Sequence, residues 1–283
     1  MNILITGYGG LLGSLLYDNL KKNNNFKIFT TSKKKINKKF NKICLLEKFE
    51  SKNKFDVILH CAHLNIRNKN KSFYEASIKG CKNLLDLSVK SKTKLFINFS
   101  SISVYDNVTQ NKIINENDIG CNLDGYAWSK YQCENLLDHY GGKKTNCTFI
   151  SLRLGGINDK NNIKTFIPGT IDKIKKNEYV YFANLDNKFN KITGIEDILR
   201  LINYLIKIKN LSNLIERHEV FNFCSKYPVK LNQVKSLIDM NFEEYKYKIL
   251  DDNKNFIISN AKIKKKLKFS LSTTKHNIKR ILL

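Results

Sequence analysis

The first dozen residues constrain this chain more than any other stretch. Met1–Thr6 reads as a short buried strand, because Ile3, Leu4 and Ile5 form an apolar run without alternation. A glycine cluster follows, Gly7-Tyr8-Gly9-Gly10-Leu11-Leu12-Gly13, and Leu11, Leu12, Leu15, Leu16 and Leu20 then recur at helical spacing. In a strand–turn–helix unit of this kind, the first glycine permits the tight turn and the second lets backbone approach a pyrophosphate. The third lets helix and strand pack closely. The helix start adds free N–H groups and the positive end of a dipole. Glycines also mark ordinary turns; the strand before and the helix after set this cluster apart. The cluster predicts a dinucleotide site, with Gly7, Tyr8, Gly10, Leu11, Leu12 and Gly13 as its candidate residues.

The rest of the first half alternates strand and helix. Strands are expected at Phe26–Thr31, Phe55–Leu59, Leu95–Phe99 and Thr148–Leu152, with helices over 72–91 and 127–140. Such alternation implies an α/β fold, a Rossmann-type doubly wound parallel sheet with helices on both faces. After residue 155 the pattern becomes irregular. Helices are expected over 163–177, 195–209, 229–240 and from 259 onward, and a strand at Glu219–Phe223. The reading is a dinucleotide-binding domain over 1–155, to which segments near 186–225 return, and a small C-terminal substrate-binding lobe formed mainly by 156–283.

Of the 283 residues, 50 are Lys or Arg and 25 Asp or Glu, a net charge of +25. A polycation gains affinity for nucleic acid by counterion release. Here, however, five arginines stand against 45 lysines, and Arg, not Lys, supplies the planar fork for bidentate phosphate and base contacts. Lys, Asn and Ile share AT-rich codons, and the lysines are spread along the chain. No nucleic-acid partner is therefore expected. No apolar run approaches the roughly 20 residues of a membrane helix, and MNILITGYGG lacks the basic start of a secretory signal. Seven cysteines, none in a C-x-x-C pair, suit a reduced cytoplasmic chain. His60 and His63 flank Cys61, but no second ligand cluster accompanies them, so no metal site is expected.

NAD-binding folds usually carry Asp or Glu at the end of the second strand, where it bonds the ribose 2′-hydroxyl. This chain has Thr31, Ser32 and Lys33 there. That composition favours NADP(H), with NAD(H) the alternative. Further on, Tyr126 and Lys130 lie four residues apart on one face of the expected helix. An ammonium beside a phenol favours the tyrosinate, which suits Tyr126 to general acid/base work on a hydroxyl/carbonyl pair. Ser101 lies at the C-terminal end of a strand, the sheet edge that faces the ligand crevice in open parallel sheets.

Together these motifs resemble an extended short-chain dehydrogenase/reductase of the nucleotide-sugar epimerase/dehydratase/reductase kind. The resemblance rests on TGYGGLLG at 6–13, DVILHCAH at 56–63, FSSISVY at 99–105, YAWSK at 126–130 and LRLGG at 152–156. It implies that Tyr126 is the catalytic acid/base, that Lys130 assists it and bonds the nicotinamide ribose, and that Ser101 orients the substrate oxygen. It further implies that Cys61, Ala62, His63 and Phe99 line the cofactor, with Leu154 and Gly155 near the nicotinamide end. A homodimer is typical of the family. Departures narrow the reaction. Ile102-Ser103 replace the Asp-Glu pair of sugar 4,6-dehydratases, Gly156 stands where 4-epimerases often carry Asn, and His63 fills a place usually held by a small residue. The expected function is NAD(P)-dependent 4-keto reduction of a nucleotide-activated sugar. The alternatives are an NAD-dependent 4-epimerase and, from another class, a non-catalytic dinucleotide sensor or nucleic-acid-binding relative.

Overall fold

The apolar run Ile3–Ile5 is fully buried and forms the middle of a sheet, as an unalternating strand should. The computed structural model describes residues 1–32, 41–64, 74–108, 112–142, 145–208, 211–215, 217–251 and 256–282. They divide into two compact units. The first comprises Met1–Asp106, Gly120–Arg153 and Ile202–Phe221; the second comprises Asn107–Ile119, Leu154–Leu201 and Asn222–Leu283.

Strands β1 (Asn2–Thr6), β2 (Lys27–Ser32), β3 (Asn41–Ile43), β4 (Val57–His60), β5 (Leu95–Ser101), β7 (Thr148–Leu154) and β12 (His218–Phe223) form a seven-stranded sheet. Their order is β12-β7-β5-β4-β1-β2-β3. The pairs β2–β3, β1–β2, β1–β4 and β4–β5 run parallel, with Thr6 opposite His60. The chain leaves β1 toward β2 and β3, then crosses to β4 on the other side. That reversal is the topological switch point of a doubly wound sheet, where a crevice opens beyond the strand C-termini.

Helices α1 (Leu11–Leu20), α2 (Glu75–Ser91) and α3 (Gly125–Gly141) connect these strands. Leu4, Ile58, Phe96 and Phe149 from four strands pack with Leu84 and Leu85 of α2 and with Cys133, Leu137 and Tyr140 of α3 in one core. Helix α3 begins two residues earlier than its apolar pattern suggests, because Asp124 caps it. The Asp124 Oδ1 accepts the Ala127 N–H at 2.7 Å. Strand β4 starts at Val57, where pairing with β1 begins, and not at Phe55.

Among the described residues, the second unit holds four two-stranded ladders. They pair β6 (Lys112–Ile114) with β15 (Phe256–Ile258), β8 (Gly156–Asn158) with β11 (Ile192–Gly194), β9 (Val180–Phe182) with β14 (Tyr247–Ile249), and β10 (Lys188–Phe189) with β13 (Val229–Lys230). Strands of two or three residues are too short to show a period, which is why their pattern reads as irregular. Helices α4 (Phe166–Lys175), α7 (Leu231–Asp239) and α9 (Thr274–Leu282) belong to this unit, and α5 (Ile195–Lys207) and α6 (Leu211–Leu214) complete the middle of the chain. Ile167, Val180, Phe182, Val234, Ile238 and Ile278 make the core. The Lys-rich end is two helices instead of one. Helix α8 (Ala261–Leu267) stops because Lys268 turns left-handed, at φ 51°. Among the described residues, no helix is long and apolar enough to cross a membrane.

Candidate active site

The glycine turn separates into positions that the fold requires and one that it does not. Gly7 has φ +71°, and a Cβ there would stand 2.7 Å from the Ala62 Cα. A Cβ on Gly13 would collide with the Gly7 carbonyl oxygen. Both places need glycine for packing between β1, α1 and the loop after β4. A Cβ on Gly10 would meet only that same carbonyl, at an ordinary 3.4 Å. Among the described residues, nothing demands a glycine at 10. The bare backbone at the start of α1 fits a pyrophosphate approaching from outside.

Beyond the turn lies a cavity of 330 Å³. Its wall comes from the C-terminal ends of successive strands: Gly7, Gly9 and Gly10 after β1, Thr31 and Ser32 on β2, Cys44–Glu47 after β3, and Cys61–Leu64 after β4. Ala76 and Ser77 of α2 complete it. Seven of the residues expected at a cofactor lie on this wall: Gly7, Gly10, Thr31, Ser32, Cys61, Ala62 and His63. Tyr8, Leu11, Leu12, Gly13 and Phe99 are not part of it. Tyr8 is buried edge-on against Tyr17 at 4.9 Å, and its N–H donates to the Thr31 carbonyl at 3.0 Å. Lys33 lies outside the described residues. Leu154 and Gly155 fall in the second unit, where the Gly155 N–H donates to Thr193 Oγ1 at 2.8 Å. A Cβ on Gly155 would come 2.7 Å from the Lys191 carbonyl oxygen, so packing alone accounts for that glycine. The Cys44–Glu47 segment was not anticipated. It carries no motif, and only the pairing of β3 beside β2 brings it to the cavity.

His60 sits at the end of β4, 2% exposed, with Nδ1 3.0 Å from Thr6 Oγ1. The same hydroxyl oxygen accepts the Ala62 N–H at 3.1 Å, which holds the loop after β4 against β1. Desolvation, then the charge of Lys130, lowers the His60 pKa to about 3. The unfolded chain therefore binds a proton near pH 6.5 that the folded chain refuses. The contribution to stability is complete above pH 6.5 and is lost as pH falls from there toward 3, by about 1.4 kcal/mol per unit. Urea midpoints measured from about pH 7.5 to 4.5 are expected to fall more steeply for the wild type than for His60→Gln. Parallel curves would refute the assignment.

Helix α3 brings Tyr126 and Lys130 together as the four-residue spacing requires. Lys130 is 5% exposed, its Nζ lies 5.8 Å from the Tyr126 ring centroid, and it donates to the Phe99 carbonyl at 2.7 Å. Phe99 thus contributes a backbone oxygen that holds the lysine. Two residues on, Ser101 ends β5 half-buried, and its hydroxyl accepts the Ser103 N–H at 3.1 Å. A phenol, an ammonium and a hydroxyl at a strand end can together hold an oxygen and pass it a proton.

Beneath this group lies a buried network that sequence reasoning passed over. Arg153 and Glu134, each 3% exposed in their side chains, form an ion pair at 2.7 Å. The guanidinium also donates from Nε to both carboxylate oxygens, at 3.1 and 3.2 Å, and from Nη1 to Tyr105 Oη at 2.7 Å. The Ser100 hydroxyl donates to the same carboxylate at 2.5 Å. Burial opposes the Arg153 charge, but the hydrogen bond and charge of Glu134 outweigh it and raise the pKa. Ser100 precedes Ser101, and Tyr105 closes the 3-10 turn that follows it, so the network grips Ser101 from both sides. Two signals pointed to it. Glu134 lies one further turn along the Tyr126–Lys130 face, and Arg153 is one of five arginines in a lysine-rich chain, kept where a bidentate fork is needed.

A parallel sheet of this order, a glycine turn at its switch point and a Tyr/Lys pair bonded to the strand that ends in Ser101 define a Rossmann-type oxidoreductase scaffold of the short-chain dehydrogenase/reductase class. Residues 3–208 match the NAD dependent epimerase/dehydratase family, and the chain belongs to that family. It is 28% identical over 248 residues to GDP-6-deoxy-D-talose 4-dehydrogenase of Aggregatibacter actinomycetemcomitans, covering 84% of this chain and 79% of that protein. Among solved structures it resembles UDP-glucuronic acid 4-epimerase from Bacillus cereus in complex with UDP-glucuronic acid and NAD. The TM-score is 0.80 at 19% identity, covering 100% of this chain and 98% of the other. It also resembles UDP-glucose 4-epimerase from Thermotoga maritima with UDP-glucose, with TM-score 0.79 and 19% identity over 100% and 97% of the two chains. These two likenesses establish the shared fold.

Proposed function

We propose that the protein reduces a 4-keto nucleotide-activated sugar, with Tyr126 as the proton donor. The carrying observation is the buried Lys130 set against the Tyr126 ring and bonded to the Phe99 carbonyl, on the strand that ends in Ser101. The relative named as a 4-dehydrogenase of a GDP-sugar supports hydride transfer at C4. A nicotinamide dinucleotide, when bound, would supply the hydride. Tyr126 gives its phenolic proton to the developing alkoxide at O4, Ser101 holds that oxygen in place, and Lys130 stabilises the tyrosinate left behind. The Gly7–Gly10 backbone and the 330 Å³ cavity would hold the dinucleotide. The second unit is read as the substrate-binding lobe.

NADP(H) is the preferred dinucleotide in this reading, because β2 ends in Thr31 and Ser32 without a carboxylate. NAD(H), which accompanies the Bacillus cereus neighbour, is the second choice. The test is an assay with GDP-6-deoxy-D-talose, UDP-glucose and UDP-glucuronic acid against each oxidised dinucleotide, following absorbance of the reduced nicotinamide. Stoichiometric reduction, with the lower KM for NADP+, is expected. Epimer formation without net change in the dinucleotide would replace the reductase by a 4-epimerase, a reaction named for both solved neighbours. A lower KM for NAD+ would overturn the cofactor preference.

A further inference from the structure

His63 stands where a small residue was expected, and the structure gives the imidazole specific partners. Its Nε2 lies 2.9 Å from Ser129 Oγ. The Ser129 hydroxyl already donates to the Tyr126 carbonyl at 2.8 Å. A serine has one hydroxyl proton, so Ser129 accepts in the first contact and His63 Nε2 carries the hydrogen. This pattern assigns the hydrogen to Nε2 without reference to any ligand. The chain of donors then runs from His63 through Ser129 to the backbone of Tyr126, across 66 residues of sequence.

The ring of His63 acts at a second point. It stacks on Tyr74 at 6.2 Å and meets the Tyr126 ring edge-on at 5.5 Å, while Tyr74 also meets Tyr126 at 6.4 Å. Tyr74 is fully buried, so the imidazole rests on a packed aromatic wall. Tyr126 is thus bounded by His63 and Tyr74, with Lys130 over its ring. Desolvation, followed by the charges of Lys130 and His60, keeps the His63 pKa well below the ordinary value. A neutral ring can stay in this place beside an ammonium, whereas an imidazolium would be repelled.

We propose that His63 is a positioning residue for Tyr126, fixing its backbone through Ser129 and its ring through the aromatic contact. The proposal rests on the assignment of Tyr126 as the proton donor and adds a group that orients it. A positioned acid loses rate when its geometry loosens by a fraction of an ångström. His63→Phe keeps an aromatic wall and deletes the donor; Ser129→Ala deletes the bridge and keeps the imidazole.

Each single variant is expected to lower kcat about tenfold, and Ser129→Ala, whose residue is not on the cavity wall, should keep the dinucleotide Kd within about threefold of wild type. The double variant should be no slower than the slower single one, because both break the same chain. His63→Gln, which restores an N–H donor, should recover much of the loss. Histidine-selective 15N NMR should show the His63 ring neutral with the proton on Nε2 in the wild type, and should show that signal displaced in Ser129→Ala. Wild-type kcat in both single variants, additive losses in the double variant, or a proton on Nδ1 would overturn the proposal and leave the role of Tyr126 intact. Full turnover in Tyr126→Phe would overturn the catalytic reading itself, which the NMR signal does not depend on.

Discussion

Tyr126→Phe is expected to lower kcat by roughly a thousandfold, the scale of a positioned general acid. The substitution removes one oxygen and the proton it carries. The ring, and its contacts with His63 and Tyr74, remain. Lys130 keeps its bond to the Phe99 carbonyl, so the cationic side of the site should be undisturbed. The cavity wall does not include Tyr126, and dinucleotide binding should therefore hold within a few-fold. The expected result is a protein that binds the dinucleotide, melts as the wild type does and scarcely turns over. A loss shared equally between kcat/KM and dinucleotide affinity would instead mark Tyr126 as a binding residue. Near-normal kcat would remove the phenol from the chemistry.

Glu134→Gln is expected to destabilise the fold by about 3–5 kcal/mol, because it leaves a buried guanidinium without its counter-charge. Arg153 is 2% exposed and cannot turn to water. Its Nε and Nη2 donors lose the carboxylate, and Ser100 loses a charged acceptor. Urea unfolding should show a lower midpoint at an unchanged slope. Removing the charge as well, in Glu134→Gln/Arg153→Met, should recover part of the loss, since an apolar replacement of a buried pair is often nearly neutral. A single variant within about 1 kcal/mol of wild type would show that the pair is not what holds this region. The same variant should also lower kcat, because Ser100 and Tyr105 bracket Ser101.

The features legible without a structure share a short range. The turn Gly7–Gly13 reads correctly because its constraints, a left-handed φ and a close helix–strand approach, act within a few residues of one another. Tyr126 and Lys130 read correctly because helical geometry alone brings positions four apart together. The doubly wound sheet follows from alternation, for parallel strands need crossovers. The end of β2 was legible in composition, since Thr31 and Ser32 do reach the cavity.

What escaped is long-range or very short. The ladders of the second unit are two or three residues long, below the length at which period distinguishes strand from coil. Lys268 breaks the final helix at a lysine that composition would place in a helix. The close approach of Gly155 to the Lys191 carbonyl inside the second unit joins residues 36 apart and carries no local signal.

By itself, then, the sequence determined the Rossmann-type architecture, the place of the glycine turn and the Tyr126–Lys130 pair, because each is set by backbone geometry between near neighbours. Tertiary structure alone decided that Cys44–Glu47 joins the cavity wall, that Arg153 meets Glu134 19 residues away, and that His63 reaches Ser129. Those meetings depend on which strands lie side by side and on which helix faces them. No local preference records that, because the free energy selecting it is the burial of the whole core at once.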